Sequence, residues 1–170
     1  MKPLVELGLT VHVDWGGEAA LHRQNTSLEL SEGVSTGRTA MCDLGDLRFH
    51  PAVLERGLEP GALADNRAAQ HNRADPPRDV VSSFSRWLVG DNLASLLGAL
   101  ARGFPGREAE LRRGAERILQ AGLQARADTI RRHHAGKPGG CHDHFLRLLE
   151  GGPGSALWRR LIGERAFRQL

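Results

Sequence analysis

The sequence predicts an α+β fold, in which a small antiparallel sheet of three to five strands at the N-terminus precedes a helical C-terminal half of three to four helices. Two patterns support this prediction. Apolar residues alternate with polar ones near the start of the chain, and they recur at helical spacing after residue 80. The 170 residues are 40% hydrophobic and 25% charged, a composition typical of a folded domain rather than of a disordered chain.

The first predicted strand covers residues 5–15. Every odd position in this stretch is apolar, and every even position is polar or glycine. A period of two residues is typical of a strand that buries one face and exposes the other. The apolar positions are Val5, Leu7, Leu9, Val11, Val13 and Trp15.

Shorter segments predict the remaining strands, because they are rich in strand-forming residues and are separated by turn-forming ones. One of those turns, GVSTG at residues 33–37, also matches the Gly-x-Ser-x-Gly pattern of a nucleophile elbow around Ser35. An elbow needs a helix after it, whereas strand-like sequence follows here, so we interpret this stretch as a glycine-rich turn. The candidate strands are residues 19–23, 26–30, 38–44 and 47–49.

Residues 65–79 are expected to form an exposed loop or linker. Alanine is the only apolar residue type in this segment, and a Pro-Pro pair lies near its end. A short helix is expected before it, from Pro51 to about residue 56. The predicted organisation is therefore a strand-rich part at 1–64 and a basic helical part at 80–170, together forming one compact unit.

The helical part divides at glycine and proline. Gly103 and Pro105 end a predicted helix over 80–102, and Gly136 and Pro138 end a second over 107–135. Ser155 follows a Gly-Gly-Pro-Gly break and is a suitable N-cap for the last helix. The two remaining predicted helices cover residues 142–150 and 155–170.

Cysteine usage and hydropathy predict a cytoplasmic protein with no membrane partner. The two cysteines, Cys42 and Cys141, form no disulfide framework and no CxxC pair. Glu6 and His12 interrupt any apolar segment of a signal peptide. No run approaches the ~18 apolar residues of a membrane span.

Charge is distributed unevenly along the chain. Positions 1–100 carry 9 basic and 13 acidic residues, a balance of −4, and positions 101–170 carry 14 and 7, a balance of +7. Arginine accounts for 21 of the 23 basic residues, and its planar fork suits phosphate and carboxylate groups. The predicted contact residues for nucleic acid or a protein partner are Arg112, Arg113, Arg117, Arg131, Arg132, Arg159 and Arg160.

The alternative interpretation of these arginines is a solvated helical surface. In that case they pair with glutamates on the same helices and contact no partner. The candidate glutamates are Glu108, Glu110, Glu116 and Glu164.

Residues 131–145, RRHHAGKPGGCHDHF, combine four histidines and one cysteine. Cys141 and His144 are three residues apart, so both can face one side of a helix, with His133 or His134 approaching from the preceding helix. Nitrogen and sulfur ligands in this arrangement suit zinc. The alternative is a helix stop and a helix start in which His134 interacts with the helix dipole and Cys141 is a small buried residue.

No complete catalytic motif is present, so we predict a protein that is not an enzyme. The leading functional hypothesis is a subunit or adaptor whose basic C-terminal helices contact either a nucleic-acid backbone or an acidic protein partner. Other subunits or further copies of the same chain are the expected partners, and no cofactor is required. The alternative is a small zinc-dependent enzyme or zinc-stabilised domain centred on His133 or His134, Cys141 and His144.

Overall fold

The computed structural model describes residues 1–43, 47–49, 83–134 and 141–160. These residues form an α+β structure that is mostly helical. The helices are α1 (Lys2–Leu9), α2 (Ala94–Gly103), α3 (Glu108–Ala125), α4 (Ala127–His134), α5 (Cys141–Gly151) and α6 (Ala156–Trp158). The strands are β1 (Gly17–Glu18), β2 (Thr26–Ser31), β3 (Val34–Met41) and β4 (Arg48–Phe49).

The N-terminal segment is a helix, and the strand expected over residues 5–15 is wrong. Helix α1 continues into a π-helical segment, Thr10–Asp14, where the Trp15 N–H donates to the Thr10 carbonyl at 3.0 Å. The buried positions are Leu4, Val5, Gly8, Leu9, Val11, His12 and Val13. Gly8 and His12 belong to the buried face of this helical segment. When they are counted as surface positions, the helical spacing of the buried residues is not visible in the sequence.

The strands form two separate antiparallel pairs, β1 with β4 and β2 with β3. A single sheet of three to five strands was expected, so the described residues contain smaller sheets than predicted. The predicted strands at 26–30, 38–44 and 47–49 overlap β2, β3 and β4, whereas residues 19–23 are not a strand. Between the pairs Leu28–Thr39 and Leu30–Ser35 the register shifts, which places two additional residues in β3.

The hairpin of β2 and β3 extends away from the protein. Its two turn residues, Glu32 and Gly33, have φ values of 52° and 79°, as a type I′ turn requires. Gly33 is therefore the turn glycine of the GVSTG segment, and Ser35 lies on β3. Residues 29–38 are all exposed, while Leu28 at the base packs against the main core.

The helical half begins with a second π-helical segment, Phe84–Leu93, which leads directly into α2. The long helix expected over 107–135 is divided at Arg126, whose φ of −104° and ψ of 11° end α3 before α4 starts. Ser155 caps α6 as expected, since its hydroxyl accepts from the Trp158 N–H at 3.1 Å. The expected helix at 51–56, the linker at 65–79 and the end of the last helix after 160 lie outside the described residues.

One hydrophobic cluster joins α1 to every longer helix of the C-terminal half. It extends from Leu4 to Trp158 and includes Phe84, Leu119 and Phe145, each fully buried. A second cluster of Val11, Ala19 and Leu21 lies under the first strand pair. The fold therefore depends on contacts between residues far apart in the sequence.

Three polar contacts attach residues 19–23, which follow β1, to the second π-helical segment and the residue before it. The Ser83 hydroxyl donates to the Ala19 carbonyl at 2.6 Å, and the Asn92 amide donates to the Leu21 carbonyl at 2.5 Å. The Arg23 N–H donates to Asp91 at 2.9 Å. Because Ser83 and Asn92 are buried, these bonds satisfy polar groups that would otherwise be costly to desolvate.

None of the helices described is both long enough and apolar enough to cross a membrane.

Candidate binding groove on the basic helices

Helix α3 separates a buried side from a polar side. Glu108 and Glu110 in its first turn interact favourably with the helix dipole. The buried side contains Ala115, Leu119, Gly122 and Leu123. On the opposite side, six residues spaced three or one apart form a continuous stripe: Arg113, Glu116, Arg117, Gln120, Ala121 and Gln124.

This stripe borders a groove of about 490 Å³, which we call the α3 groove. Its opposite wall is Pro153, in the turn that connects α5 to α6. The volume falls within the ~300 to 1,000 Å³ that is usual for ligand sites. The α3 groove is therefore large enough to hold a peptide segment or several side chains of a partner.

Two arginines of the groove form no ion pair with a described residue. Arg113 and Arg117 are exposed, and within the described part of the chain neither forms an ion pair. They are four residues apart and so share a helical face. Glu110, a predicted partner, accepts a hydrogen bond from Arg107. That bond and the charge of Arg107 lower the pKa of Glu110 most, and the charges of Arg113 and Arg117 lower it further.

The groove also contains polar groups of other kinds. Gln120 Oε1 is shielded from solvent and has no hydrogen-bond partner among the described residues. Glu116 contributes one carboxylate beside the two arginines. This mixture is closer to a protein-binding surface than to a uniformly basic track.

The structure separates the seven predicted arginines into groups. Arg131 forms an ion pair with Asp128 at 3.5 Å, and the Nε–H of Arg132 donates a hydrogen bond to the Asp128 carbonyl at 3.3 Å. Arg159 and Arg160 are exposed where α6 ends, and neither forms an ion pair with a described residue. Arg112 is only partly exposed. Of the seven, Arg113 and Arg117 line the α3 groove.

The predicted metal cluster is described only in part. Helices α4 and α5 contact each other, as expected for the two helices on either side of residues 135–140. The side chains of His133, His134 and Cys141 lie outside the described residues. Among the side chains that are described, no group of three His, Cys, Asp or Glu residues is arranged to hold a metal ion.

His144 has an unusual environment in α5. Its pKa is lowered to about 4, mainly by burial and also by the charges of Arg147 and Arg160, while Asp143 acts in the opposite direction. Its Nε2 is buried and has no hydrogen-bond partner among the described residues. The ring is therefore neutral near pH 7, and that nitrogen is unpaired.

The sequence could not identify the groove as a unit. The polar stripe is visible at its helical spacing, and it includes two of the predicted arginines. Pro153 and the unpaired oxygen of Gln120 could not be assigned, because the turn after α5 approaches α3 only through tertiary packing. Comparisons of the chain with protein families, with curated proteins and with solved structures found no match.

Proposed function

We propose that this protein is a non-enzymatic adaptor or subunit that binds an acidic segment of a protein partner in the α3 groove. The observation that supports this proposal is the pair Arg113 and Arg117, exposed on one helical face beside the groove and without ion pairs among the described residues. Arginine forks bind carboxylates in a bidentate manner.

The composition of the groove favours a protein segment over a nucleic-acid backbone. Ala121 and Pro153 offer apolar contacts, which the side chains of a protein segment can make and a phosphodiester backbone cannot. Binding of a nucleic-acid backbone remains the other version of the leading hypothesis, and the experiment below separates the two.

The test is a salt titration of binding to labelled poly-glutamate, to generic duplex DNA and to generic RNA, measured by fluorescence anisotropy. We expect salt-sensitive binding of poly-glutamate. The double variant Arg113→Gln, Arg117→Gln should weaken this binding by at least ~10-fold, because two charge-assisted contacts are lost. The double variant Arg23→Gln, Arg102→Gln removes the same charge at exposed positions outside the groove, and it should bind as the wild type does.

Two outcomes would contradict the proposal. Equal weakening by both double variants would show that only net charge matters. Tighter binding of DNA or RNA than of poly-glutamate, with a steep salt dependence, would favour the nucleic-acid version.

A zinc-dependent enzyme or zinc-stabilised domain is the second candidate function. The unpaired Nε2 of His144, three residues after Cys141 on α5, supports it. Elemental analysis of the purified protein should find one zinc per chain, and Cys141→Ser or His144→Ala should reduce that content. A metal-free wild type that is fully folded would exclude this candidate.

A further inference from the structure

The end of the β2–β3 hairpin is the most exposed apolar feature of the described residues. We call residues 30–35 the hairpin tip. Leu30 is 61% exposed and Val34 is 70% exposed. Register pairs Leu30 with Ser35 and Val34 with Ser31, so the two apolar side chains lie on opposite faces of the hairpin. Exposed apolar groups on a protruding element are typical of a contact site.

The hairpin tip also carries one acidic group that is not used within the described residues. Glu32 is in the turn, exposed, and forms no ion pair with any described residue. The other acidic residue of the hairpin, Glu29, is paired with Arg38 at 3.2 Å. The tip therefore presents a carboxylate between two apolar side chains.

The α3 groove has the complementary groups. Arg113 and Arg117 can bind a carboxylate, while Ala121 and Pro153 can contact apolar side chains. Within one chain the tip is exposed, so it does not occupy its own groove.

We infer that the hairpin tip of one copy of this chain docks in the α3 groove of a second copy. This inference rests on the proposed function, because it names the acidic partner of the same groove. Glu32 binds Arg113 and Arg117, while Leu30 and Val34 contact the apolar walls. Two reciprocal contacts of this kind close a two-fold dimer.

A charge exchange tests this contact. Glu32→Arg places an arginine at the tip against the arginine groove, and the double variant Arg113→Glu, Arg117→Glu places the wild-type tip against an acidic groove. Each variant alone should be monomeric in analytical ultracentrifugation under conditions where the wild type is a dimer, with a Kd at least ~10-fold weaker. An equimolar mixture of the two should dimerise again, because every tip then meets a groove of opposite charge.

Control variants separate this contact from general effects. Asp128→Arg changes the same charge at an exposed position on α4, and it should leave the dimer unchanged. Because Glu32 has a positive φ, Leu30→Ser with Val34→Ser supplies an independent tip variant, and it should also weaken the dimer. Circular dichroism verifies that each variant is folded.

Three results would overturn the inference. The wild type could remain monomeric up to ~1 mM, which is the weak end of the affinity scale. The Glu32→Arg variant could still dimerise, or the equimolar mixture of the two folded variants could fail to dimerise. The proposed function can fail or succeed separately. If the wild type is monomeric but binds poly-glutamate through Arg113 and Arg117, the groove takes an acidic partner other than a second copy.

Discussion

Arg126 connects three elements through a single side chain that is only 13% exposed. Its guanidinium donates to Asp14 at 2.9 Å, to Glu6 at 2.9 Å and to the Thr10 hydroxyl at 3.0 Å. The residue stands at the break between α3 and α4, so it attaches that break to α1 and to the first π-helical segment. Its role is structural, and the charge pattern of the sequence gives no indication of it.

We expect Arg126→Ala to reduce the free energy of unfolding by roughly 2 to 4 kcal/mol, because it leaves two partly buried carboxylates without their common partner. Arg131→Ala is the matched control. Arg131 and Asp128 form an exposed pair, so the loss there should stay below ~1 kcal/mol. Urea denaturation of both variants measures the difference, and equal effects would contradict the role assigned to Arg126.

His12 is fully buried, and its Nδ1 lies 2.8 Å from the Gly17 carbonyl oxygen. Burial lowers its pKa to about 4, although the bond to Gly17 acts in the opposite direction. The ring is edge-on to Phe84, with centroids 5.6 Å apart. The folded protein therefore holds His12 neutral, whereas the unfolded chain protonates it at an ordinary pKa near 6.5.

This difference predicts acid sensitivity. Between pH 6.5 and about 4 the unfolded state binds more protons than the folded state, so stability falls as pH decreases through that window. The loss attributable to His12 is on the order of 3 kcal/mol by pH 4. His144, whose pKa is also lowered, adds to it in the same direction.

His12→Asn keeps a donor for the Gly17 carbonyl and cannot titrate. Its free energy of unfolding should therefore vary less with pH between 6.5 and 4 than that of the wild type, in denaturation curves recorded across this range. His144→Gln serves as a comparison, since it removes only the contribution of His144. Parallel pH profiles for the wild type and His12→Asn would exclude His12 as the source.

At the scale of elements, α1 packs closely against α3 because Gly122 has no side chain. A Cβ at this position would meet the Cδ1 of Leu9, which is fully buried, so that side chain would have to shift within the core. Gly114, on the same helix, has no atom within 4 Å of the corresponding position. The close approach of α1 therefore requires glycine at position 122, whereas the space around position 114 would accept a side chain.

We expect Gly122→Ala to lower stability by roughly 1 to 3 kcal/mol through overpacking. Gly114→Ala should raise stability by ~0.5 to 1 kcal/mol, because alanine is the better helix former and meets no obstacle. Thermal denaturation of the two single variants measures how the same added methyl group changes stability at two positions of α3. A stabilising Gly122→Ala would show that the contact of α1 with α3 is looser than described.

The α1 segment also shows where sequence patterns mislead. Val5, Val11 and Val13 are β-branched and favour strands, and their alternation fits a strand equally well. A helix is formed instead because its face can bury Gly8 against Leu88 and His12 against Phe84. Those partners are 80 and 72 residues away in the sequence, so the local pattern of residues 5–15 could not reveal them.

At the scale of the whole molecule, the main hydrophobic cluster contains residues from Leu4 to Trp158. We therefore expect one cooperative unfolding transition, in which far-UV circular dichroism and tryptophan fluorescence coincide. Trp158 is fully buried and reports on the C-terminal helices. Two separate transitions would indicate that the strand-rich and helical parts fold independently.

The sequence by itself determined the α+β class, the β2–β3 hairpin, and the ends of most of the helices in the described C-terminal half. These features depend on local chemistry: the alternation of strand residues, the glycines and prolines that stop helices, and the Ser155 cap. It also named Arg113 and Arg117 among seven candidate contact residues. Only the tertiary structure decided that residues 2–14 are helical, that Arg126 is a structural link, and that Arg113 and Arg117 border a groove with Pro153. Each of these depends on partners brought together by burial of the common core, and such partners leave no periodic signal in the sequence.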